Sequence, residues 1–316
     1  MIYRARHVTT YAYAEPVALS HHLAHLTPRE RPSQSVLAAD ISVTPTPATW
    51  NIRTDHFGNT VVQFAVQHFH SKLVVDATCE VSLTAAKPPD PDCGPAWEAV
   101  RDRAASETGE VLEVAEFLAD SGPVQRDPGI AAYASPSFEP GVPIVRCLLA
   151  LQARINRDFV FDTRATTVAT PLREVLEQRR GVCQDFAHLM IAALRSLGVP
   201  ARYVSGYLRT NPPPGRPRLV GADASHAWVS AWTGAAWLDL DPTNNCIPSL
   251  DHITLAWGRD YDDVAPLKGV ALGGGAHTLK VGVDVLPADE EAMALAQASA
   301  TAPAAAAQAP SSSSLR

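Results

Sequence analysis

About the first 85 residues alternate apolar and polar side chains in short runs separated by turn signals. Because side chains of a strand point alternately to its two faces, such runs predict strands rather than helices. The pattern consists of strand-like runs at 8–13, 37–43, 61–66 and 73–77, with turn signals at 45–47 and 55–59. Several short strands with punctuated turns predict a small β-sandwich. The proline-rich stretch KPPDPD at residues 87–92 breaks regular structure and predicts a domain boundary.

Helical spacing of apolar residues begins further along the chain. Residues 144–155 repeat apolar side chains at intervals of three and four, which predicts an amphipathic helix. A second helix is predicted from about residue 183 to 197. One buried face of it would hold Cys183, Ala187, Met190, Ile191 and Leu194. The segments 201–208, 226–232 and 236–240 are rich in β-branched and aromatic residues and predict antiparallel strands.

The chain is therefore predicted to be α+β, with an N-terminal β-sandwich followed by a core in which a helix packs on an antiparallel sheet. The predicted parts are a β-sandwich domain at 1–86, a linker with short helices at 87–142, a core domain at 143–286 and a disordered tail at 287–316. The tail is assigned from composition, because it consists mainly of Ala, Ser, Gln and Pro and ends in a serine run.

Composition narrows the classes of partner and the cellular compartment. The 316 residues are 46% hydrophobic and 19% charged, which is typical of a soluble globular protein. The net charge is −7 and no basic stretch stands out, which argues against nucleic acid as a partner. The longest apolar runs, such as 189–194, are too short to span a membrane, and the N-terminus has no secretory signal pattern. Five cysteines at irregular spacings predict reduced thiols in a cytoplasmic protein.

No sequence pattern calls for a metal ion or an organic cofactor. There is no CxxC pair, and the histidines do not complete a zinc pattern. No stretch has the ligand spacing of an EF-hand calcium loop. We therefore expect a site that works without a cofactor.

The strongest chemical signal is Cys183, which lies where a loop becomes a helix. Unpaired backbone N–H groups and the positive end of the helix dipole both favour a thiolate at that position. The same N–H groups could receive the oxygen of a tetrahedral intermediate. A small buried structural cysteine is the alternative interpretation.

A histidine and two aspartates follow Cys183 on predicted strands. His226 could act as a base, although a single strand histidine is more often structural. Asp239 and Asp241 share one face of the next strand, and either could orient the imidazole. Asp241 is preferred because it lies at the strand end, where sites usually open, although an aspartate before Pro-Thr-Asn is often only a turn residue. Cysteine, histidine and aspartate together are the parts of a thiol-based acyl-transfer site.

Three further residues are weaker candidates for lining such a site. Gln184 could offer its side-chain amide to an oxyanion, or simply pack beside the helix start. His188 does not share the helix face of Cys183 and is interpreted as structural. Trp228 lies on the same strand face as His226 and could border the cleft or fill the core.

Three blocks of the chain resemble the core of the bacterial transglutaminase-like superfamily. They are GVCQDFAH at 181–188 with its continuation GVPARYVSGY at 198–207, SHAW at 225–228, and DPTN at 241–244. The strings YAY at 11–13, LTPR at 26–29 and DHFGN at 55–59 resemble the small β domain that accompanies this core in bacteria. The resemblance implies a papain-like α+β core with Cys183 as nucleophile, His226 as base and later acid, and Asp241 orienting the imidazole.

The function expected from this resemblance is thiol-dependent acyl transfer or hydrolysis at an amide bond, through a thioester acyl-enzyme. The substrate would be a protein or peptide that carries a glutamine or a peptide bond, with a primary amine as candidate co-substrate. A cysteine peptidase or amidase is the alternative enzyme. A protein-binding module with a vestigial triad is the alternative from another class. The sequence does not indicate an oligomeric state.

Overall fold

The computed structural model describes residues 1–106, 112–210 and 224–288 and has the predicted α+β architecture. In chain order its helices and strands are β1 (Ile2–Ala24), β2 (Gln34–Thr44), β3 (Thr49–Thr54), β4 (Thr60–Val66), β5 (His70–Leu83), α1 (Trp97–Ala104), α2 (Leu112–Ala115), α3 (Pro128–Ala134), α4 (Ile144–Asp158), β6 (Val160–Phe161), α5 (Leu172–Gln178), β7 (Arg180–Gly181), α6 (Cys183–Ser196), β8 (Ala201–Leu208), β9 (Ala224–Trp232), β10 (Trp237–Leu240), β11 (His252–Gly258), α7 (Tyr261–Val264), β12 (Leu267–Gly273) and β13 (His277–Pro287). Within these described ranges, no helix combines the length and apolarity needed to cross a bilayer.

The N-terminal region forms a curled antiparallel sheet of seven strands. Strands β2, β5, β1, β4 and β3 lie side by side in that order. The long strand β1 pairs with β5 over its first half and with β4 over its second half, with a register irregularity between Ala12 and Val17. Because the two halves of β1 have different neighbours, the predicted β-sandwich takes the form of one curled sheet.

Two strands from the C-terminal end of the described chain complete this sheet. Strand β13 pairs with residues 3–13 of β1, and β12 pairs with residues 17–24. Residues 267–286 were predicted to belong to the core domain and residue 287 to a tail, and the strand pairing corrects both boundaries. Local alternation predicts a strand but not its partner, which here lies more than 200 residues away in the sequence. Residues 289–316, the rest of the predicted tail, lie outside the described residues.

The second half of the molecule is a four-stranded antiparallel sheet, in the order β10-β9-β8-β11, with α6 packed against β8 and β9. Ala187, Met190, Ile191 and Leu194 of the predicted apolar face of α6 are buried in one hydrophobic cluster with residues of α4, and Cys183 is partly buried against it. Val100 of α1 and Ile130 of α3 belong to the same cluster. Helices α1 and α3 therefore pack as part of the core rather than as a linker, which corrects the predicted part at 87–142.

Polar contacts fix the N-terminal sheet against the core. Arg31 forms an ion pair with Asp239 at 2.7 Å and donates a hydrogen bond to Thr254 Oγ1 at 2.7 Å. Gln34 and the backbone of Thr254 exchange two hydrogen bonds of 2.8 Å. Asn59 makes the equivalent exchange with the backbone of Trp257, at 2.8 and 3.0 Å. Since β11 carries both backbone contacts, the N-terminal sheet is fixed to an edge strand of the core sheet.

Gly206 allows close packing at the centre of the core sheet. It pairs with His226 of β9 and with Thr254 of β11. A Cβ atom at this position would lie 2.1 Å from the carbonyl oxygen of Ile253 and 2.4 Å from the ring of Trp228. The missing side chain therefore lets the Trp228 ring lie directly over the sheet, beside the strand position of His226.

Replacing Gly206 by alanine should destabilise the fold strongly. Neither the backbone oxygen nor the buried indole can move aside cheaply, so we expect a loss of about 3 kcal/mol or more in the free energy of unfolding. Denaturant unfolding followed by circular dichroism measures this loss. Gly122→Ala is the matched control, because a Cβ there would make only an ordinary contact of 3.6 Å with Asp262. Equal stability of the two variants would contradict the packing argument.

Candidate active site

Cys183 is the first residue of helix α6, as predicted. Val182 before it is extended, with φ −114° and ψ 178°, and the first hydrogen bond of the helix runs from Phe186 N to Val182 O at 3.1 Å. The N–H groups of residues 183–185 therefore precede the first intrahelical bond and are available to a ligand or side chain. The thiol is half-buried, and all five cysteines lie within the described residues and are free.

Asp185 holds the start of this helix in place. Its Oδ2 accepts hydrogen bonds from Val182 N at 2.8 Å and from Thr166 Oγ1 at 2.6 Å. A Cβ on Gly181 would lie 2.6 Å from the same oxygen, so glycine leaves room for this carboxylate. Burial raises the pKa of Asp185, and the bonds from Thr166 and Val182 partly offset that effect. These contacts fix the backbone that presents the thiol.

His226 lies on β9 between Cys183 and Asp241. Its Nε2 donates to Asp241 Oδ2 at 2.8 Å, and Cys183 lines the same cavity as its ring. Burial lowers the pKa of His226, but the hydrogen bonds and charges of Asp241 and Cys183 outweigh it and raise the pKa to about 9. The imidazole is therefore charged at neutral pH. The structure brings together the three residues predicted from the sequence.

Asp241 follows the end of β10 and is fully buried. Its Oδ1 accepts from the backbone N–H groups of Thr243 at 2.9 Å and Asn244 at 3.1 Å. Its Oδ2 is shared by His226, by Asn244 Nδ2 at 2.7 Å and by His252 Nε2 at 3.1 Å. Burial raises the pKa of this carboxyl, yet the bonds from His226, His252 and Asn244 hold it well below its usual range.

Asp239 has a different environment from Asp241. Its Oδ2 bonds Arg31 of the N-terminal sheet at 2.7 Å and accepts from Trp228 Nε1 at 3.3 Å. Burial raises the pKa of Asp239, but the nearby Arg31 brings it below its ordinary value. Of the two aspartates left open by the sequence, Asp241 contacts His226, and Asp239 links the two halves of the molecule.

The three weaker candidates lie in different places. Gln184 lines the cavity at Cys183 and also a neighbouring cavity of about 470 Å³. His188 is buried and lines only that neighbouring cavity, where its Nε2 accepts from Tyr261 N at 3.1 Å. Burial lowers the pKa of His188 to about 3, so this imidazole is neutral. Trp228 is completely buried between His226 and His252 and does not line the cavity at Cys183.

A cavity of about 310 Å³ opens beside the sulfur of Cys183. Its floor comes from the core and includes Cys183, Gln184 and His226. Its opposite wall comes from the N-terminal sheet and consists of His7, Thr9 and Tyr11 of β1, Leu267 of β12, and Leu279 and Val281 of β13. The site is therefore built between the two halves of the chain.

Sequence reasoning assigned no role to several residues that the structure brings to this site. His252 opens β11 and reaches Asp241, but no motif or spacing in the sequence marks it. Asn244 is part of the DPTN string at 241–244, so the sequence already placed it near Asp241, but it was not predicted to contact that carboxylate. The wall from β1 and β13 could not be inferred, because it depends on the long-range pairing of those strands.

One group of three side chains in the described ranges has the donor types and spacing of a metal site. The donor atoms of His226, Asp241 and His252 lie within 4.8 Å of one another. Imidazole and carboxylate groups of this kind suit Zn²⁺. The two imidazoles already hydrogen-bond the carboxylate, so a bound ion would displace the contact that orients His226.

Comparison with known proteins identifies both halves of the chain. Residues 3–82 match the family model described as bacterial transglutaminase-like N-terminal region. Residues 144–242 match the model described as transglutaminase-like superfamily, and this range includes Cys183, His226 and Asp241. The first matched range contains the β1 residues that line the cavity, and the second contains the thiol of Cys183.

Relatives extend the similarity over most of the chain. An uncharacterized protein of Mycobacterium tuberculosis is 39% identical over 300 residues, which are 92% of this chain and 94% of that protein. A protein-glutamine gamma-glutamyltransferase of Pseudomonas aeruginosa is 37% identical over 93 residues, 29% of this chain and 12% of that protein. The crystal structure of a candidate cysteine protease from Cytophaga hutchinsonii has the same fold. It has a TM-score of 0.71 and 21% identity, and 90% of each chain is covered.

Proposed function

The chain belongs to the transglutaminase-like superfamily, and from that premise we propose that it is a cysteine enzyme that breaks amide bonds through a thioester intermediate. In this proposal Cys183 is the nucleophile, His226 the general acid and base, and Asp241 the residue that orients and charges the imidazole. The observation that carries the proposal is that Cys183 and His226 line one cavity while His226 is hydrogen-bonded to the buried carboxylate of Asp241 at 2.8 Å.

In the first half-reaction, the thiolate of Cys183 attacks the carbonyl carbon of a carboxamide and forms a carbon–sulfur bond. The carbonyl oxygen becomes an oxyanion, and the N–H groups at the start of α6 lie where they can stabilise it. The carbon–nitrogen bond then breaks, while His226 donates its proton to the leaving amine. The raised pKa of about 9 supports this step, because the imidazole holds that proton at neutral pH.

In the second half-reaction, an amine or a water molecule attacks the thioester. His226, now neutral, removes a proton from the attacking group, and the thiolate of Cys183 leaves. An amine gives a new amide, which is acyl transfer, and water gives a carboxylic acid, which is hydrolysis. Since water is present at roughly 55 M, transfer requires a covered site. The name of the Pseudomonas aeruginosa relative, a glutamyltransferase, supports transfer as the preferred outcome.

The proposed acyl donor is a glutamine side chain of a protein or peptide, and the proposed acceptor is a primary amine. The name of the Pseudomonas aeruginosa relative, protein-glutamine gamma-glutamyltransferase, supports the choice of glutamine. Cleavage of a peptide bond uses the same intermediate and remains the alternative outcome of the same chemistry. No step of this mechanism requires a metal ion, an organic cofactor, nucleic acid or a membrane.

An assay with casein and a labelled primary amine tests the proposal. Incubation with the intact protein should attach the label covalently to casein, because the amine resolves the thioester. Scintillation or fluorescence of the precipitated casein measures transfer, and sequencing of new N-termini in the same sample measures peptide cleavage. New N-termini without label would assign the protein to the peptidases instead. The absence of both labelled casein and new N-termini would contradict both enzymatic hypotheses. That result would favour a binding module with a vestigial triad.

A further inference from the structure

The wall opposite Cys183 is a ribbon formed by two paired strands of the N-terminal sheet. Tyr11 of β1 pairs directly with Leu279 of β13, and Thr9 pairs with Val281. Because every second residue of a strand points to the same face, these four side chains form one continuous surface. All four line the cavity at Cys183. We call these four residues the β1–β13 ribbon.

The ribbon presents apolar surface that the folded chain leaves uncovered. Leu279 and Val281 are each 51% exposed, although the next residues on the same face of β13, Val283 and Val285, are buried. Exposed apolar side chains are common singly, but these two lie side by side at the mouth of a cavity that holds a thiol. Their uncovered surface is therefore placed to bury part of a molecule that reaches Cys183.

The cavity offers no counter-charge to a charged ligand. Among the described residues that line it there is no aspartate, glutamate, lysine or arginine. Burial lowers the pKa of His7 to about 4, with a small opposing effect of Asp76, so His7 is neutral at pH 7. The imidazolium of His226 is paired with the buried carboxylate of Asp241 at 2.8 Å, and Cys183 is the group that reacts with the substrate. Away from these reacting groups, a charged side chain that entered would lose water without gaining an ionic partner.

From the uncovered apolar ribbon and the uncharged lining, we infer that the cavity at Cys183 is a subsite for an uncharged apolar side chain, leucine-like or aromatic, next to the amide that Cys183 attacks. Its volume of about 310 Å³ lies at the small end of ligand sites, so it fits one side chain with its amide. The inference rests on the proposed function, since it names a group beside the reacting carbonyl. It also gives the N-terminal sheet a role in selecting the substrate.

Alkylation of the intact protein tests the subsite without any need for turnover. Two iodoacetamides that differ only in the N-substituent, phenethyl and trimethylammonioethyl, are compared by peptide mass spectrometry of the labelled cysteines. Added N-acetylcysteine amide, which is uncharged apart from its thiol, serves as the reference for the intrinsic reactivity of each reagent, because Cys93 lies 3.4 Å from Asp90 Oδ2 and would favour the cationic reagent. Relative to this reference, Cys183 should prefer the phenethyl reagent by roughly tenfold or more.

Two variants of the ribbon and one control locate the origin of that preference. Leu279→Asp and Val281→Asp each place a carboxylate in the wall, so the preference should fall at least fivefold in both. Val270→Asp is the control, because Val270 is 71% exposed on β12 and does not line the cavity. Melting temperatures establish that the variants are folded. An equal rate with both reagents in the unmodified protein, or the same preference in all three variants, would overturn the inference.

Failure of the subsite and failure of the proposed function give different results. If Cys183 prefers the apolar reagent but the protein neither attaches amine to casein nor cuts it, the subsite is supported and the proposed enzymatic function is contradicted. A protein that processes casein and labels without preference loses the subsite alone. With both in place, glutamine peptides that carry Leu or Phe beside the glutamine should react faster than those that carry Lys or Glu.

Discussion

Replacing Cys183 by alanine should reduce amine incorporation and peptide cleavage on the order of 10⁴-fold or more, which means to the background of the assay. Cys183 is the one thiol among the described residues that line the cavity, so removal of its sulfur removes both half-reactions. The residue is half-buried at the first position of α6, and the contacts that hold the helix start come from Asp185 rather than from the thiol. We therefore expect a melting temperature close to that of the unmodified protein.

The matched control for this variant is Cys246→Ala. Cys246 is also half-buried and lies near Asp241 in the chain, where the two residues form a backbone bridge. Burial and the nearby Asp241 raise the pKa of the Cys246 thiol to about 11, so it stays protonated at neutral pH. This variant should keep its activity. Retained activity in Cys183→Ala, or equal loss in both variants, would remove Cys183 as the nucleophile.

Replacing Asp241 by alanine should reduce activity by roughly 10³- to 10⁴-fold. The carboxylate supplies both the hydrogen bond that orients His226 and the charge that keeps its imidazole protonated. Asp239→Ala is the comparison, because Asp239 bonds Arg31 and Trp228 instead of His226. That variant should lower the melting temperature through the lost link between the two halves, with a smaller effect on activity. A larger loss of activity in Asp239→Ala would reassign the third residue of the site.

The pH dependence separates these two roles of aspartate. The folded-state pKa of His226, about 9, lies above its ordinary value of 6.5, so the proton needed for the leaving amine is present below pH 9 and lost above it. The descending limb of the rate against pH should therefore lie near pH 9. In Asp241→Ala, burial still lowers the pKa of His226 but the carboxylate that raised it is gone. The descending limb of the pH–rate profile should therefore move to lower pH. In Asp239→Ala the descending limb should stay near pH 9. If Asp241 only stabilised the fold, both variants would leave the limb in the same place.

Several elements of the fold followed closely from local pattern, whereas strands β3, β11, β12 and β13 were not predicted. Helix α6 and strand β8 begin and end within a residue of their predicted limits, because their apolar periodicity is strong and glycine and proline follow the helix. The partition into domains was less successful. Helices α1 and α3 pack in the core, and strands β12 and β13 join the N-terminal sheet. A hydrophobic pattern indicates that a face is buried but not which surface buries it.

The residues of the candidate site also fall into those that the sequence indicated and those that it did not. Cys183, His226 and Asp241 could be selected from the sequence because short strings surround each of them and because a helix start favours a reactive thiol. His252 could not be selected, since a histidine at the first position of a strand carries no local signal of contact with a carboxylate. Gln184, His188 and Trp228 were named together, yet only Gln184 lines the cavity at the thiol.

By itself, the amino-acid sequence determined helices α4 and α6, strands β8 to β10 and the apolar face of α6, and it narrowed the site to Cys183, His226 and one of two aspartates. These features follow from patterns within a few turns or strands. The tertiary structure alone decided which aspartate contacts His226, how His252 joins it, and that strands from both ends of the described chain form the wall over Cys183. Such contacts bring together residues that are up to some 270 positions apart, as Thr9 and Val281 show. Packing and strand pairing select them over the whole chain, so no local pattern can encode them.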